Sequence, residues 1–535
     1  MSILLRRSGD LSILGSYDYW LAVTGTSVGL DAEKKLPALA HRLEAAFESI
    51  RPLWWELGRK MAADPSAQTA HAPTGGVYGS DFGLMLAWVR IAQDLIDDSG
   101  RYLIVCDDPW LFRQIAALSG TDAGAPPNLF KSAARLFLRG YFARLSVAAK
   151  SLRAWVKLRH YRRVFSRGEP TLLVYGHPAS DGDTKDAYFG NLMVEFPHIR
   201  RLLHVDCPVV RAVELSSGGR TASLHAWGGF WDALGLVFEF WSPRADLKSG
   251  AHGWLVRRAA AHENGGGGPA MVRWQASCQR RWLKSARPAR VIWPWENFAW
   301  ERALCRDARD LGIATAGYQH TVIGPHQLNY SVATNPDGEA SLPNTIIANG
   351  PAYARELIDW KIPKDKIVIG GSLRIRDGLG RGFDPDGPVF VPLSAQLAAA
   401  RQQLKAARLL AQAGHHVRVK EHPMYPLAFD ETDRLKRTAQ GIGDGEVYSG
   451  VLFTTGASGL EAVLAGVPAF RLLLEDRICV NILPCTIDVP TVTTDQVVGA
   501  LAMAGDRPVV DWAEIFATPD LELWRKLLSA DIFNA

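Results

Sequence analysis

Two short segments in the last quarter of the sequence combine residue types that bind phosphate. The first reads KEHP at positions 420–423 and follows an apolar run that predicts a strand. The second reads TTGASGLEA at positions 454–462 and leads from another apolar run into a predicted helix. Backbone N–H groups at the start of a helix attract anions, and glycine permits close approach. Both segments are therefore candidates for binding a phosphate-containing ligand.

The side chains of these segments have complementary capacities. Lys420 and His422 can counter phosphate charge, Thr455 and Ser458 can donate from their hydroxyl groups, and Glu461 can accept from ribose hydroxyls. Because ligands of parallel sheets bind beyond the carboxyl ends of the strands, both segments are expected to face one cleft. A plain strand–turn–helix connection with a serine cap, and a structural histidine, are the alternatives. The predicted donor-nucleotide site comprises Lys420, His422, Pro423, Thr455, Gly456, Ser458, Gly459 and Glu461.

Three acidic residues follow predicted strands of the first half. Asp181 and Asp183 lie in the segment YGHPASDGD, and Glu296 lies between Trp295 and Asn297. Such an acid can deprotonate a hydroxyl group or attack an anomeric carbon, and apolar surroundings can raise the pKa of Glu296 toward that of a proton donor. The alternatives are an Asx-type turn, a metal-binding Asp-x-Asp pair and an acid at a helix N-terminus. We expect catalytic acids here and no metal or other cofactor.

Alternation of short apolar runs with helical patterns predicts parallel α/β architecture in both halves of the chain. In the first half, the predicted strands are Tyr102–Cys106, Thr171–Tyr175, Arg201–Val205, Val291–Pro294 and Ala314–Tyr318. A second series of strands is expected from about Pro343 onward, and the glycine run at 263–269 is expected to be a flexible loop. The predicted domains are 1–340, with a basic helical insertion at 126–168, then 341–510, and a helical tail at 511–535.

The motifs resemble those of a known group of bacterial enzymes. KxHP followed by a small-residue turn and GxEA is similar to the donor half of GT-B glycosyltransferases that use cytidine-activated donors, including Kdo transferases and sialyltransferases. The segments DAYFG at 186–190, PWENFAWE at 294–301 and YQH at 318–320 resemble surface-carbohydrate biosynthesis proteins. The Asp181–Asp183 segment also resembles the acid-bearing loop of bacterial sialyltransferases. The resemblance implies two Rossmann-like domains facing a cleft and a nucleotide sugar as substrate.

The segment 131–167 contains eleven Lys or Arg and no Asp or Glu, with aromatic and Leu residues interleaved. This composition is typical of a helix that lies in the interface of an anionic membrane. A solvated pair of helices is the alternative, and nucleic acid is not expected, since no nucleic-acid motif accompanies the run. No run approaches the about 18 apolar residues of a spanning helix. With no signal peptide recognisable at the start, we expect a cytoplasmic protein at the inner face of the cell membrane.

Composition is compatible with an enzyme of this kind. The 535 residues are 47% apolar and 21% charged, which indicates folded domains, and the six cysteines form no CxxC pair. The predicted function is transfer of a sugar, such as a CMP-linked ulosonic acid, to a surface polysaccharide or lipid-linked glycan. Transfer of a phosphoalditol from a CDP donor and nucleotide-sugar epimerisation are enzymatic alternatives. A non-catalytic membrane-bound component of a polysaccharide assembly complex is an alternative of another class.

Overall fold

Three parallel sheets organise the chain. The computed structural model describes residues 2–11, 16–23, 29–375, 377–378, 382–422, 425–503, 505 and 510–529. In spatial order, the first sheet consists of Tyr19–Ala22, Tyr102–Val105, Ile3–Arg6 and Thr121–Ala123. The second consists of Ile367–Ile369, Thr345–Ala348, Ala314–Gln319, Arg290–Pro294, Thr171–Val174, Arg200–Leu203 and Thr221–Ser223. The third consists of Leu435–Arg437, Val417–Lys420, Val389–Pro392, Gly450–Phe453, Ala469–Leu472 and Thr491–Val492.

Helices cover the sheets and connect their strands, as parallel pairing requires. In the first half they are Leu39–Ser49, Arg51–Ala62, Gly76–Gly79, Phe82–Ile96, Pro109–Ala116, Leu129–Leu158, Leu192–Glu195, Val209–Leu215, Phe230–Gly235, Ala245–Ser249, Gly253–Asn264, Gly268–Ala286 and Ala299–Asp310. In the second half they are Pro351–Asp359, Leu397–Gln412, Ser458–Leu464, Val497–Ala502, Trp512–Ile515 and Leu521–Leu528. The predicted α/β class with two Rossmann-like domains is confirmed by the second and third sheets, whose strands pair in parallel.

The change from the second sheet to the third falls later than the sequence suggests. Thr345–Ala348 pairs with Ala314–Gln319, and Ile367–Ile369 pairs with Thr345–Ala348. The sequence predicts that both strands start the second series, in the domain 341–510. That assignment is wrong, because both strands belong to the second sheet. The physical reason is that a short apolar strand carries no local mark of the sheet to which it pairs. The third sheet begins only with Val389–Pro392.

The C-terminal segment returns to the second sheet. The helix Leu521–Leu528 buries Trp524 against the rings of Phe189 and Tyr318, with centroid distances of 6.1 and 5.4 Å. The indole nitrogen of Trp524 donates to the carbonyl of Gly370 at 2.9 Å. The helix Leu521–Leu528 is therefore anchored on the second sheet, although it follows the third sheet in sequence.

The basic segment forms one long helix, Leu129–Leu158, rather than a pair of helices. It crosses the turn between Gly253–Asn264 and Gly268–Ala286 at Gly140, where any side chain would clash with the carbonyl of Asn264. Arg144 donates to the same carbonyl at 2.8 Å. The prediction of a flexible loop at 263–269 is thus wrong, because the small residues allow close helix packing. No helix among the described residues is long and apolar enough to cross a bilayer.

Candidate functional site

The loop after strand Arg290–Pro294 holds Glu296 through its backbone. The carboxyl group of Glu301, in the first turn of the following helix, accepts from the backbone N–H groups of Glu296 and Asn297, both at 2.9 Å. It also accepts from the indole N–H of Trp293 at 3.1 Å. Burial raises the pKa of Glu301 to about 8. The buried carboxyl group of Glu301 therefore fixes the backbone conformation of Glu296 after the end of the strand.

Asn297 completes this support from the other side. It adopts a φ of 61°, a left-handed conformation that asparagine tolerates better than most residues. Its buried side chain donates to the carbonyl of Asn329 at 2.9 Å and to Oδ1 of Asn335 at 3.1 Å. Asn329 in turn donates to the carbonyl of Glu296 at 2.7 Å. Both backbone polar groups of Glu296 thus have hydrogen-bond partners.

The carboxyl group of Glu296 is suited to proton transfer near neutral pH. Burial raises its pKa to about 7, although the nearby Arg374 opposes the shift. The side chain still keeps 26% of its surface exposed, so a ligand can reach it. Nε2 of His320 lies 3.9 Å from Oε1 of Glu296. Burial holds the pKa of His320 well below its usual value, so this imidazole is neutral at pH 7.

Glu296 lies in the wall of a cavity between the second and third sheets. This interdomain cavity has a volume of about 450 Å³. Its lining from the first half of the chain includes Glu296, Phe298, His320, Thr321, Gln327 and Asn329. Its lining from the second half includes Arg374, His422, Gly456, Ala457, Glu461 and Ile482. A cleft of this size at strand ends, with polar side chains on both walls, is a suitable site for a polar ligand.

A second cavity of about 650 Å³ shares Glu296 and Phe298 with the first. This N-terminal cavity is lined by aromatic and polar residues, among them His71, Tyr175, His204, Asp206, Gln275, Trp300 and Tyr425. Nδ1 of His204 lies 3.2 Å from Oδ2 of Asp206. Burial opposes ionisation of Asp206, but the neighbouring His204 lowers the pKa of this carboxyl group. Glu296 therefore stands where two cavities of ligand size meet.

The structure brings part of the predicted donor site together. His422, Gly456 and Glu461 line the interdomain cavity. Burial lowers the pKa of His422. Burial raises the pKa of Glu461, and the charge of Lys420 partly offsets this second shift. Lys420 itself lines a neighbouring hollow with Arg437. Pro423 lies outside the described residues.

The remaining residues of the predicted donor site do not line this cavity. Oγ1 of Thr455 lies 3.5 Å from the hydroxyl of Ser394. Ser458 is the first residue of the helix Ser458–Leu464, and Ala457 precedes it as a cap without a side-chain hydrogen bond. Gly459 packs against the ring of Phe453, where a side chain would clash. Glycine at 459 is thus required by packing of this helix against the third sheet.

Asp181 and Asp183 line neither cavity. Oδ1 of Asp181 accepts from the backbone N–H of Thr184 at 3.1 Å and from that of Lys185 at 2.6 Å, as in an Asx-type turn. Although partial burial opposes it, a bond from the hydroxyl of Thr184 at 2.7 Å and these backbone bonds lower the pKa of Asp181. Asp183 packs against Gly218. The structure therefore separates these two acids from Glu296, because the loop after Val174 turns toward Arg201, whose guanidinium donates to the carbonyl of Asp181 at 2.7 Å.

Arg374 is a site residue that the sequence analysis missed. Its guanidinium lies over the ring of Tyr188, 5.4 Å from the centroid, and it lines the interdomain cavity. Guanidinium groups remain charged in proteins, so Arg374 supplies positive charge where the cavity histidines are neutral. It stands in the connection from the second sheet to the third, where no motif marks it. The sequence feature beside Arg374 is Tyr188 of the segment DAYFG, which could have indicated that this region belongs to the site.

The chain matches no protein-family model and no curated protein. Solved structures that resemble part of it include UDP-GlcNAc 2-epimerase from Methanocaldococcus jannaschii, at 10% identity and a TM-score of 0.37 over 67% of this chain and 99% of that one. UDP-GlcNAc 2-epimerase from Neisseria meningitidis, bound to UDP-GlcNAc, is 11% identical, with a TM-score of 0.35 over 62% and 90%. Spinosyn forosaminyltransferase SpnP is 15% identical, with a TM-score of 0.36 over 63% and 90%.

Proposed function

We propose that this chain is a glycosyltransferase that binds a nucleotide-activated sugar in the interdomain cavity and an acceptor hydroxyl in the N-terminal cavity. The observation that carries the proposal is the position of Glu296 in the wall common to both cavities, with a pKa of about 7. A carboxylate there can take a proton from an acceptor on one side while the donor reacts on the other.

The proposed reaction follows from this placement. Ionised Glu296 accepts the proton of the acceptor hydroxyl as its oxygen forms a bond to the anomeric carbon. The bond from that carbon to the phosphate oxygen breaks, and the nucleotide leaves with the electron pair. Arg374 stabilises the negative charge that develops on the phosphate, and His422 can hydrogen-bond to it. The proposed role of Glu461, in the lining of the same cavity, is to accept a hydrogen bond from a ribose hydroxyl.

For the donor we propose a CMP-linked ulosonic acid such as Kdo or sialic acid. The support is the similarity of the 420–423 and 454–462 segments to transferases that use cytidine-activated donors. The proposed acceptor is a surface polysaccharide or lipid-linked glycan, at the inner face of the cell membrane. Calorimetric titration with CMP, CDP, UDP and GDP tests the donor, and preferential binding of UDP or GDP would contradict it.

Replacing Glu296 tests the reaction. Glu296→Gln keeps the size of the side chain but cannot accept the proton, so transfer should fall by about 10²-fold or more. Nucleotide affinity should be nearly unchanged. Because the base must be ionised, transfer by the unmodified protein should rise with pH through about 7, and the variant should lose that dependence.

Glu514→Gln is a matched control, since Glu514 is exposed in the helix Trp512–Ile515 and lines neither cavity. It should retain transfer and its pH profile. Normal turnover by Glu296→Gln would remove Glu296 from the reaction. Isomerised donor without any acceptor would instead indicate an epimerase.

A further inference from the structure

The long basic helix presents an apolar face to solvent. Phe130 is 83% exposed, and Phe137, Leu138, Tyr141, Phe142 and Leu145 are exposed as well. At 100° per residue these six positions fall within an arc of about 140°. The buried positions of the helix, including Gly140, Arg144, Ser151 and Leu158, lie on a different side. The apolar face is therefore not the face by which the helix packs on its own domain.

A second element beside the long helix also exposes apolar side chains. The helix Phe230–Gly235 and the turn Leu236–Phe238 contact the long helix, and Arg144 donates to the carbonyl of Val237 at 3.2 Å. Trp231 is 76% exposed and Phe238 is 80% exposed. Phe230, Leu234 and Phe240 are also exposed. Two adjoining elements, distant in sequence, thus expose large apolar side chains.

Positive charge flanks this apolar surface. Seven exposed cations of the long helix and its end are Lys131, Arg135, Arg139, Lys150, Arg153, Lys157 and Arg159. The acidic side chains of the second element point to partners: Asp232 pairs with Arg281, and Glu239 accepts from the hydroxyl of Thr69 at 2.7 Å. The negative charge that would repel an anionic surface is therefore neutralised or turned inward.

We propose that the 130–145 face and the 230–240 segment together insert into the interface of an anionic lipid bilayer. This proposal rests on the proposed function, which includes a membrane partner. It adds to the membrane contact a segment that lacks the basic composition of residues 131–167. Aromatic and Leu side chains favour the interfacial region, and cations beside them attract anionic lipid headgroups. The arrangement of charge around the apolar face favours a lipid surface over a second copy of this chain, whose matching face would be equally basic.

Co-sedimentation of the full chain with vesicles tests the proposal. Vesicles of phosphatidylcholine with about one third phosphatidylglycerol should bind the protein, and pure phosphatidylcholine should bind it much less. Phe142→Glu and Trp231→Glu should each lower the partition coefficient by about 10-fold or more, because each places a charge in the apolar interface. Met503→Glu, at an equally exposed apolar position of the second half, should leave binding unchanged.

Charge and apolar contact can be separated. Replacing Lys131, Arg135, Arg153 and Lys157 by Gln should weaken binding to the anionic vesicles by about 5-fold per residue removed. Equal binding to both kinds of vesicle, or full binding by Trp231→Glu, would overturn the proposal. So would a dimer in analytical ultracentrifugation that Phe142→Glu converts to monomer, since the face would then join two copies. Nucleotide titration of the same variants should be normal, which keeps this test independent of the donor site.

Discussion

The two walls of the interdomain cavity are built in different ways. On the wall from the second sheet, both backbone polar groups of Glu296 are hydrogen-bonded, and Glu301 and Asn297 hold the loop. On the wall from the third sheet, Gly456 has a φ of 115°, and the space beside it is open. One wall is thus rigid before any ligand arrives, whereas the other exposes backbone.

This difference matches two different tasks. Proton transfer requires the carboxyl group to be held within hydrogen-bonding reach of the reacting oxygen, so preorganisation contributes directly to rate. A nucleotide brings its own donors, acceptors and charge, and open backbone with nearby Arg374 and His422 can bind it. Under the proposed function, the wall from the second sheet carries the chemical step and the wall from the third sheet contributes ligand affinity.

The largest expected effect comes from breaking the rigid wall at Asn297. Asn297→Ala leaves the buried groups of Asn329 and Asn335 without their donor and places alanine at positive φ, so the free energy of unfolding should fall by about 2–4 kcal/mol. Asn297→Gly tolerates the backbone conformation and should lose about 1 kcal/mol less. Chemical denaturation followed by tryptophan fluorescence measures both. Equal stability of the two variants would show that the left-handed backbone contributes nothing.

Substitutions in the open wall should lower the affinity for nucleotide and leave the free energy of unfolding unchanged. Arg374→Ala and His422→Ala each remove a group that can bind phosphate, so nucleotide affinity should fall by about 10- to 100-fold. Lys405→Ala removes an exposed cation from the helix Leu397–Gln412 and serves as the matched control. Calorimetric titration distinguishes the three variants. If Lys405→Ala weakened binding as much as Arg374→Ala, the effect would reflect overall charge.

The sequence was sufficient for the parts of the site that local patterns encode. Apolar runs located the strands Thr171–Val174, Arg290–Pro294 and Ala314–Gln319 to within about one residue of their ends. Because strand ends locate the cleft in a parallel sheet, Glu296 and His422 could be predicted as lining residues. These predictions needed only the order of apolar and polar residues.

The parts that depend on tertiary contacts could not be predicted. His71 reaches the N-terminal cavity from a segment more than a hundred residues before Tyr175. Arg374 enters the interdomain cavity from a connection without a motif. The loop that carries Glu296 depends on the hydrogen bond from Asn297 to Asn329, which lies beyond the next strand. Only the folded chain brings such residues together.

The smallest effect is expected from a substitution that lies in neither wall of the interdomain cavity. Asp181→Asn keeps an oxygen that can accept from Thr184 and Lys185, so the turn should persist and stability should change by less than about 1 kcal/mol. Since Asp181 lines neither cavity, turnover per folded molecule should remain near normal, in contrast to Glu296→Gln. Transfer assays on both variants at equal folded concentration measure this contrast. A loss of about 10²-fold in Asp181→Asn with intact folding would place the proton acceptor on this loop, and the rigid support of Glu296 would then serve structure alone.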